Sequence, residues 1–297
     1  LAHGLPGFSR FDLTEFAVNF QLLMKLHYFP SPAETNTLST EKLRDYFLIG
    51  GLFQPGQITA HYTDLDRMIT GAALPTTAPL SLPSAKETGT SFFLERREIG
   101  ILNLGAPGVV NAGGVKHELG PLDCLYIGLG EKDVTFGNGT AGQAQFYFVS
   151  TPAHAKYPTA IARRADVKTD PIGDTAKANR RRINKLIHLD GIKSCQLVLG
   201  FTEFEPGSVW NTMPPHTHSR RTEIYLYFDL GDNAVVHLMG EPQATRHLIV
   251  HDREAVLSPA WSIHSGAGTG SYRFVWAMGG DNQVFSDMDP VPIAALK

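Results

Sequence analysis

The 297-residue chain has no run approaching the ~18 to 20 consecutive apolar residues that would carry a helix across a bilayer, which excludes a helical membrane protein. It also lacks a basic leader followed by a continuous apolar stretch, so a secretory signal is not expected. Neither sign of charge dominates: 26 Lys and Arg stand against 29 Asp and Glu, a formal net charge of −3. Such a balance supplies no field for nucleic acid or an anionic membrane, and neither partner is expected. Cysteine is scarce, with only Cys124 and Cys195, each inside a run that reads as a strand. Two isolated thiols make no disulfide framework and point to reduced side chains in a cytoplasmic protein. Helix signals are few. The best is Ser39 to Phe47, with a Ser/Thr cap, an acid in its first turn and apolar residues at helical spacing.

Against these absences, 42% apolar content is that of a packed globular protein, and the length suits one large or two ordinary domains. From about residue 50 short β-rich runs alternate with glycine, among them 91–95, 100–104, 124–128, 133–136 and 145–149. After a polar, proline-containing stretch a second series follows at 196–201, 223–228, 234–239, 246–250 and 272–278. Many short strands so spaced predict an all-β fold of two barrels with few short helices. The expected division is 24–150 for a first barrel without metal, 151–184 for a linker, and 185–297 for a second barrel with a metal site. Residues 1–23 read as an N-terminal extension, because Met24 opens a run, Met24 to Pro30, that looks like a natural start.

Chemistry concentrates in the second series. His216 and His218 are two apart and so share one face of a strand, Glu223 follows five residues after His218, and His264 follows a Pro259 turn. Three imidazoles and one carboxylate suit a borderline divalent cation. The other nine histidines show no such grouping, and His117-Glu118 in the first series has nothing nearby to complete a ligand set. One metal ion per chain is expected. Zinc, iron, manganese, nickel and cobalt all accept this donor set.

His216-Thr217-His218, Glu223 and His264 on short strands resemble the metal-binding motifs of the cupins, with Trp261 standing where glycine is common. A sharper resemblance is carried by Phe93 to Glu98, Pro152 to His154, Asn179 to Lys185, Trp210 to Pro214, Pro259 to Gly266 and Asp281 to Phe285. Together these are similar to the 5-keto-4-deoxyuronate isomerase family, over nearly everything from Met24 onward. The resemblance implies a bicupin with one Zn2+ per chain, held by His216, His218, Glu223 and His264, and a homohexamer. It also implies a small acidic sugar as substrate: conversion of 4-deoxy-L-threo-5-hexosulose uronate to 3-deoxy-D-glycero-2,5-hexodiulosonate in pectin and glycosaminoglycan breakdown. Phe285 stands where the family has tyrosine and would forgo one hydroxyl.

An aldose-to-ketose conversion moves one proton from C2 to C1 and another between two oxygens, with no redox cofactor. Alternation places Tyr225 on the face of Glu223, a candidate proton donor or barrel-core aromatic. Arg221 and Arg181 are candidates for gripping a carboxylate, with a solvated face as the alternative for either. Thr202, Thr212 and Met278 fall where they can line the same cavity, and the family pattern adds Ile183 and Phe285. Tyr225 and Arg221 are the catalytic candidates. A metal-dependent cupin dioxygenase, a sugar-binding bicupin without turnover, and a structural zinc in a closed shell stay open at this point.

Overall fold

Glycine and turn residues cut the chain into short strands that stack as two barrels. A computed structural model describes residues 24–167 and 169–297; the expected extension 1–23 lies outside them. In the first barrel a seven-stranded sheet runs in the order Met24–His27, Ile58–Thr63, Ile69–Ala73, Phe146–Pro152, Arg97–Asn103, Cys124–Ile127, Ala160–Ala162. It faces a four-stranded sheet of Leu80–Ser81, Thr135–Asn138, Gly108–Ala112 and Val115–Leu119. The second barrel pairs a six-stranded sheet, Arg181–Ile187, Val198–Phe204, Arg273–Gly280, Arg221–Phe228, Ala255–Ser258 and Leu48–Ile49, with a four-stranded one built from Trp210–Asn211, Ser265–Gly268, Val235–Glu241 and Ala244–Val250. This is the all-β bicupin architecture. Among the described residues, no helix is long and apolar enough to cross a membrane.

The two large sheets pack back to back, so their strands are buried on both faces. Along Arg97–Asn103, Ile99 and Ile101 enter the first barrel's core while Leu102 joins a core shared between the barrels. Along Arg221–Phe228, Tyr225 and Tyr227 point into the second barrel while Ile224, Leu226 and Phe228 join the shared core. Side chains two apart share a face, so one strand serves both cores. The sheets approach closely at Gly100, where a Cβ would lie 2.8 Å from Ile187 Cδ1.

A buried carboxylate fastens this junction. Glu98 is fully buried. Its Oε2 accepts from Tyr126 OH (2.6 Å) and the Cys195 amide (2.7 Å), and its Oε1 from Thr151 Oγ1 (3.1 Å) and the Gln196 and Leu197 amides (both 2.7 Å). A carboxylate removed from water is tolerated when donors replace the water, and here backbone amides entering the second barrel do so. Cys124 is buried and Cys195 half-buried, and both are free thiols.

The chain does not divide at the expected places. The helix Thr40–Phe47, capped by Ser39 accepting the Lys42 amide, inserts Leu43 and Phe47 into the second barrel's core, and Leu48–Ile49 extends that barrel's sheet beside Ala255–Ser258. An eight-residue helix is unstable alone, and its apolar stripe needs a face to cover. Arg246 ties the segment down by donating to the carbonyls of Thr35, Asn36 and Leu38. Nor is 151–184 merely a connection: Ala160–Ala162 pairs with Cys124–Ile127 at the edge of the first barrel, and Arg181 already starts a strand of the second.

Two predictions follow from these buried polar groups. Glu98→Ala leaves five donors without their acceptor and is expected to cost about 3–5 kcal/mol of unfolding free energy by denaturant titration; a loss below ~1 kcal/mol would contradict the fastening role. Burial, helped by neighbouring positive charge, pushes His61 down to about 4 and His237 down to about 3 from an ordinary 6.5. The unfolded chain therefore binds more protons between about 3 and 6.5, and stability is complete above that window and lost as pH falls through it. Thermal melts of metal-free protein from pH 7 to 4 should show a falling midpoint, and a flat profile would refute the assignment.

Candidate active site

His216 lies on the short strand His216–Thr217, His218 just beyond it, Glu223 on Arg221–Phe228, and His264 immediately before Ser265–Gly268. The folded second barrel brings the four together. Their donor atoms lie within 4.8 Å of one another, and adjacent ones are closer: His216 Nε2 to His218 Nε2 3.1 Å, His218 Nε2 to Glu223 Oε2 3.1 Å, Glu223 Oε2 to His264 Nε2 3.0 Å, and His264 Nε2 to His216 Nε2 3.0 Å. With bonds of about 2.1 Å, adjacent corners are about 3.0 Å apart in an octahedron and about 3.4 Å in a tetrahedron. The set fits a divalent cation, and at the octahedral spacing it leaves positions for further ligands.

Groups behind the donors fix their state. His218 Nδ1 lies 3.0 Å from the Asp287 carbonyl, which can only accept, so the proton sits on Nδ1 and Nε2 offers its lone pair. The Arg221 Nε at 3.4 Å from the same nitrogen is then a contact between two donors and not a hydrogen bond. His264 Nδ1 is 3.3 Å from Ser258 Oγ. Burial, then the adjacent His264, pushes His216 down to about 3, which keeps it neutral near pH 7. Burial alone would raise the Glu223 carboxyl, but the His264 and His218 imidazoles outweigh it and hold the group well below the usual carboxylate range.

The donors open into a cavity of about 270 Å³. Arg181, Ile183, Thr202, Thr212, Tyr225, Met278 and Phe285 all line it, together with His216, His218 and Glu223. Arg181 donates one bond to the Asn179 carbonyl, and burial lowers its pKa. Tyr225 OH is 3.3 Å from Thr212 Oγ1; burial, then the Glu223 charge, raises the phenol well above its ordinary value, so it keeps its proton. Thr212 holds this place at φ +48°, a left-handed conformation that a β-branched residue rarely adopts.

Arg221 is elsewhere. Its buried guanidinium donates to the carbonyls of Val284 (2.7 Å), Phe285 (3.1 Å) and Asp287 (2.8 Å) and does not line the cavity. The expectation that it grips substrate is corrected: it fastens the segment carrying Phe285, Asp287 and Met288 over the site. Phe274, Trp276, Met213, Pro214 and Met288 also line the cavity and were not expected. Alternation from Met278 along Arg273–Gly280 predicts the first two, whereas the loop residues carry no periodic signal. Trp261 lies edge-on to Phe47 at 6.4 Å, so the ring standing where glycine is common packs under the N-terminal helix.

Solved structures share the fold. An IolB-like protein from Salmonella typhimurium superposes with a TM-score of 0.65 at 14% identity, covering 80% of this chain and 94% of its own. Oxalate decarboxylase from Lactobacillus farciminis gives 0.51 at 9% identity, with 76% and 79% covered. Sequence relatives are much nearer. The 4-deoxy-L-threo-5-hexosulose-uronate ketol-isomerase of Opitutus terrae is 74% identical over 275 residues, covering 92% of this chain and 100% of that protein. The Bacillus subtilis protein of the same name is 49% identical over 275 residues, with the same coverage. The family model described as KduI/IolB matches residues 54–291, a span that takes in most of both barrels and all four clustered donors, and the chain belongs to that family.

Proposed function

We propose that this chain is a ketol-isomerase converting 4-deoxy-L-threo-5-hexosulose uronate to 3-deoxy-D-glycero-2,5-hexodiulosonate, with zinc as its metal, in the cytoplasmic breakdown of pectin or glycosaminoglycan uronates. The observation that carries the reading is a three-histidine, one-glutamate cluster at one wall of a cavity that also holds one guanidinium and one protonated phenol. The names of the full-length relatives support the same reaction.

A divalent cation at the cluster supplies Lewis acidity toward a substrate oxygen. The protein's own groups bind the substrate and stabilise the charge that develops on it. Arg181 offers a fork of donors matched to the uronate carboxylate. Tyr225, held protonated 3.3 Å from Thr212, can donate to the oxygen that gains charge as the C2 proton leaves. Phe274, Trp276, Met278 and Phe285 form apolar walls that exclude water from the intermediate. Trp276 Nε1 donates to Thr202 Oγ1 at 3.2 Å, which fixes the indole plane at the wall. A closed homohexamer is proposed as well, supported by Val236 and Ile249, directly paired across strands and both exposed on the outer face of the small sheet.

The test is turnover of freshly generated 4-deoxy-L-threo-5-hexosulose uronate followed by NMR in D₂O, with metal content measured on the same sample. The wild type should form the 2,5-diketo acid with deuterium from solvent, and His218→Ala should lose both metal and turnover while staying folded. Metal-loaded, folded wild type without turnover would remove the isomerase reading; oxygen consumption would favour a dioxygenase, and binding without reaction a sugar-binding role. Tyr225→Phe should keep metal content and fold but lower kcat by about 10²-fold. An unchanged kcat would leave Tyr225 as wall only.

A further inference from the structure

The first barrel contributes no donor to the one metal-ligating cluster among the described residues, yet it touches the strand that carries Glu223. The contact comes from the turn between Ile58–Thr63 and Ile69–Ala73. Two successive residues of that turn, Asp66 (φ +48°) and Arg67 (φ +51°), are left-handed without being glycine. The first position of such a turn accepts Asn, Asp or Gly, but the second strongly favours Gly, so Arg67 is held there by its surroundings. Thr63 Oγ1 accepts the Leu65 amide at 3.0 Å, and buried Arg97 donates to the Arg67 carbonyl at 2.7 Å. With the turn so fixed, Asp66 Oδ2 accepts from Thr222 Oγ1 at 2.6 Å, and Met68 Sδ lies 3.6 Å from the same hydroxyl.

Thr222 sits between Arg221 and Glu223. On a pleated strand its side chain leaves by the face opposite to theirs, so a bond to Thr222 sets the rotation of the strand about its own axis, and with it the direction of the Glu223 carboxylate. Across the sheet Thr222 pairs with Gly279, where a Cβ would lie 3.1 Å from Thr151 Cγ2 and 3.4 Å from Met68 Sδ. The first barrel is therefore packed closely against this point of the second barrel's sheet, and a side chain at Gly279 would require Thr151 to give way by a few tenths of an ångström.

We propose that Asp66 is a positioning residue of the metal centre: the first barrel holds the strained turn so that its carboxylate can anchor Thr222 and aim Glu223. This rests on the metal-centre reading above. It gives the barrel without ligands a task in the other barrel's chemistry.

Asp66→Gly separates the two sides of the arrangement, because glycine accepts φ +48° without strain but offers no carboxylate. Metal-free wild type, Asp66→Gly, Asp66→Asn and Thr222→Val are titrated with Zn2+ against a chromophoric chelator, and their thermal midpoints are measured alongside. Asp66→Gly, which trades the lost bond to Thr222 against relief of the left-handed backbone, is expected to stay folded with a midpoint within a few degrees of wild type yet bind Zn2+ about 10-fold more weakly, in the range seen when groups supporting a metal ligand are removed. Asp66→Asn, which keeps an acceptor oxygen, should recover most of the affinity. Asp66→Gly combined with Thr222→Val should bind no more weakly than Thr222→Val alone, as expected of residues acting through one bond. Affinity of Asp66→Gly within twofold of wild type overturns the proposal, as do additive losses in the double variant. A wild type that binds no Zn2+ overturns the metal-centre reading itself, a result distinguishable from either.

Discussion

Everything in this molecule leans on the back-to-back packing of the two large sheets. A sheet buried on one face alone has a free side on which its strands can twist and shift. Here Arg97–Asn103 and Arg221–Phe228 are buried along their whole lengths, because each faces its own barrel on one side and the shared core on the other. Close-packed interiors deform little. The strand that supplies Glu223 is thus clamped over eight residues before any metal chemistry is considered. Glu98 closes the same junction with polar bonds, and its backbone partners at Cys195 to Leu197 lead directly into the strand Val198–Phe204, which bears the cavity residue Thr202.

Rigidity on one side of the four-donor cluster is matched by a pinned cover on the other. Arg220 binds Asp287 through paired contacts of 2.5–2.9 Å, while Arg221 takes the carbonyls of Val284, Phe285 and Asp287. The Asp287 carbonyl also accepts from His218 Nδ1. One backbone oxygen therefore links the cover to the tautomer of a metal ligand. Since Phe285 and Met288 line the cavity from this segment, the shape of the substrate space and the orientation of His218 are set by the same few bonds.

How far this was legible in the sequence depends on the range of the physics. His216 and His218 are readable because a two-residue spacing on a strand has one geometrical meaning, and Tyr225 and Tyr227 follow from Glu223 by the same alternation, while Glu223 itself needs the bend between the strands His216–Thr217 and Arg221–Phe228 to return it to that face. The paired series of strands gives the bicupin, and Thr202, Met278 and Arg181 reach the cavity from strands whose register follows the pattern. Alternation says which face a side chain leaves by but not what it meets. Arg221 shares a face with Glu223, yet its length carries the guanidinium past the cavity to carbonyls more than sixty residues away in sequence. The helix Thr40–Phe47 is equally plain as a helix, but its choice of the second barrel over the first is decided by a tertiary surface that no local pattern encodes. Met213, Pro214 and Met288 lie in loops and obey no period at all.

The charges and bonds around the cavity show why one arginine lines it and the other does not. Arg221 is 2% exposed and gives three of its donors to carbonyls, in a place where no anion could reach without displacing the cover. Arg181 has one carbonyl partner, reaches the cavity wall, and is partly exposed, so donors remain to meet an incoming carboxylate. Burial lowers the pKa of both guanidiniums, which measures the cost of holding a cation there without an anion. For Arg221 the nearby Glu223 and Asp287 charges offset that cost within the protein, whereas Arg181 has beside it the phenols of Tyr225 and Tyr272, which burial keeps protonated and uncharged. A desolvated cation lacking a protein carboxylate of its own is most stable when the ligand brings one. The cavity that gathers the four donors leaves the Arg181 cation without a protein carboxylate of its own.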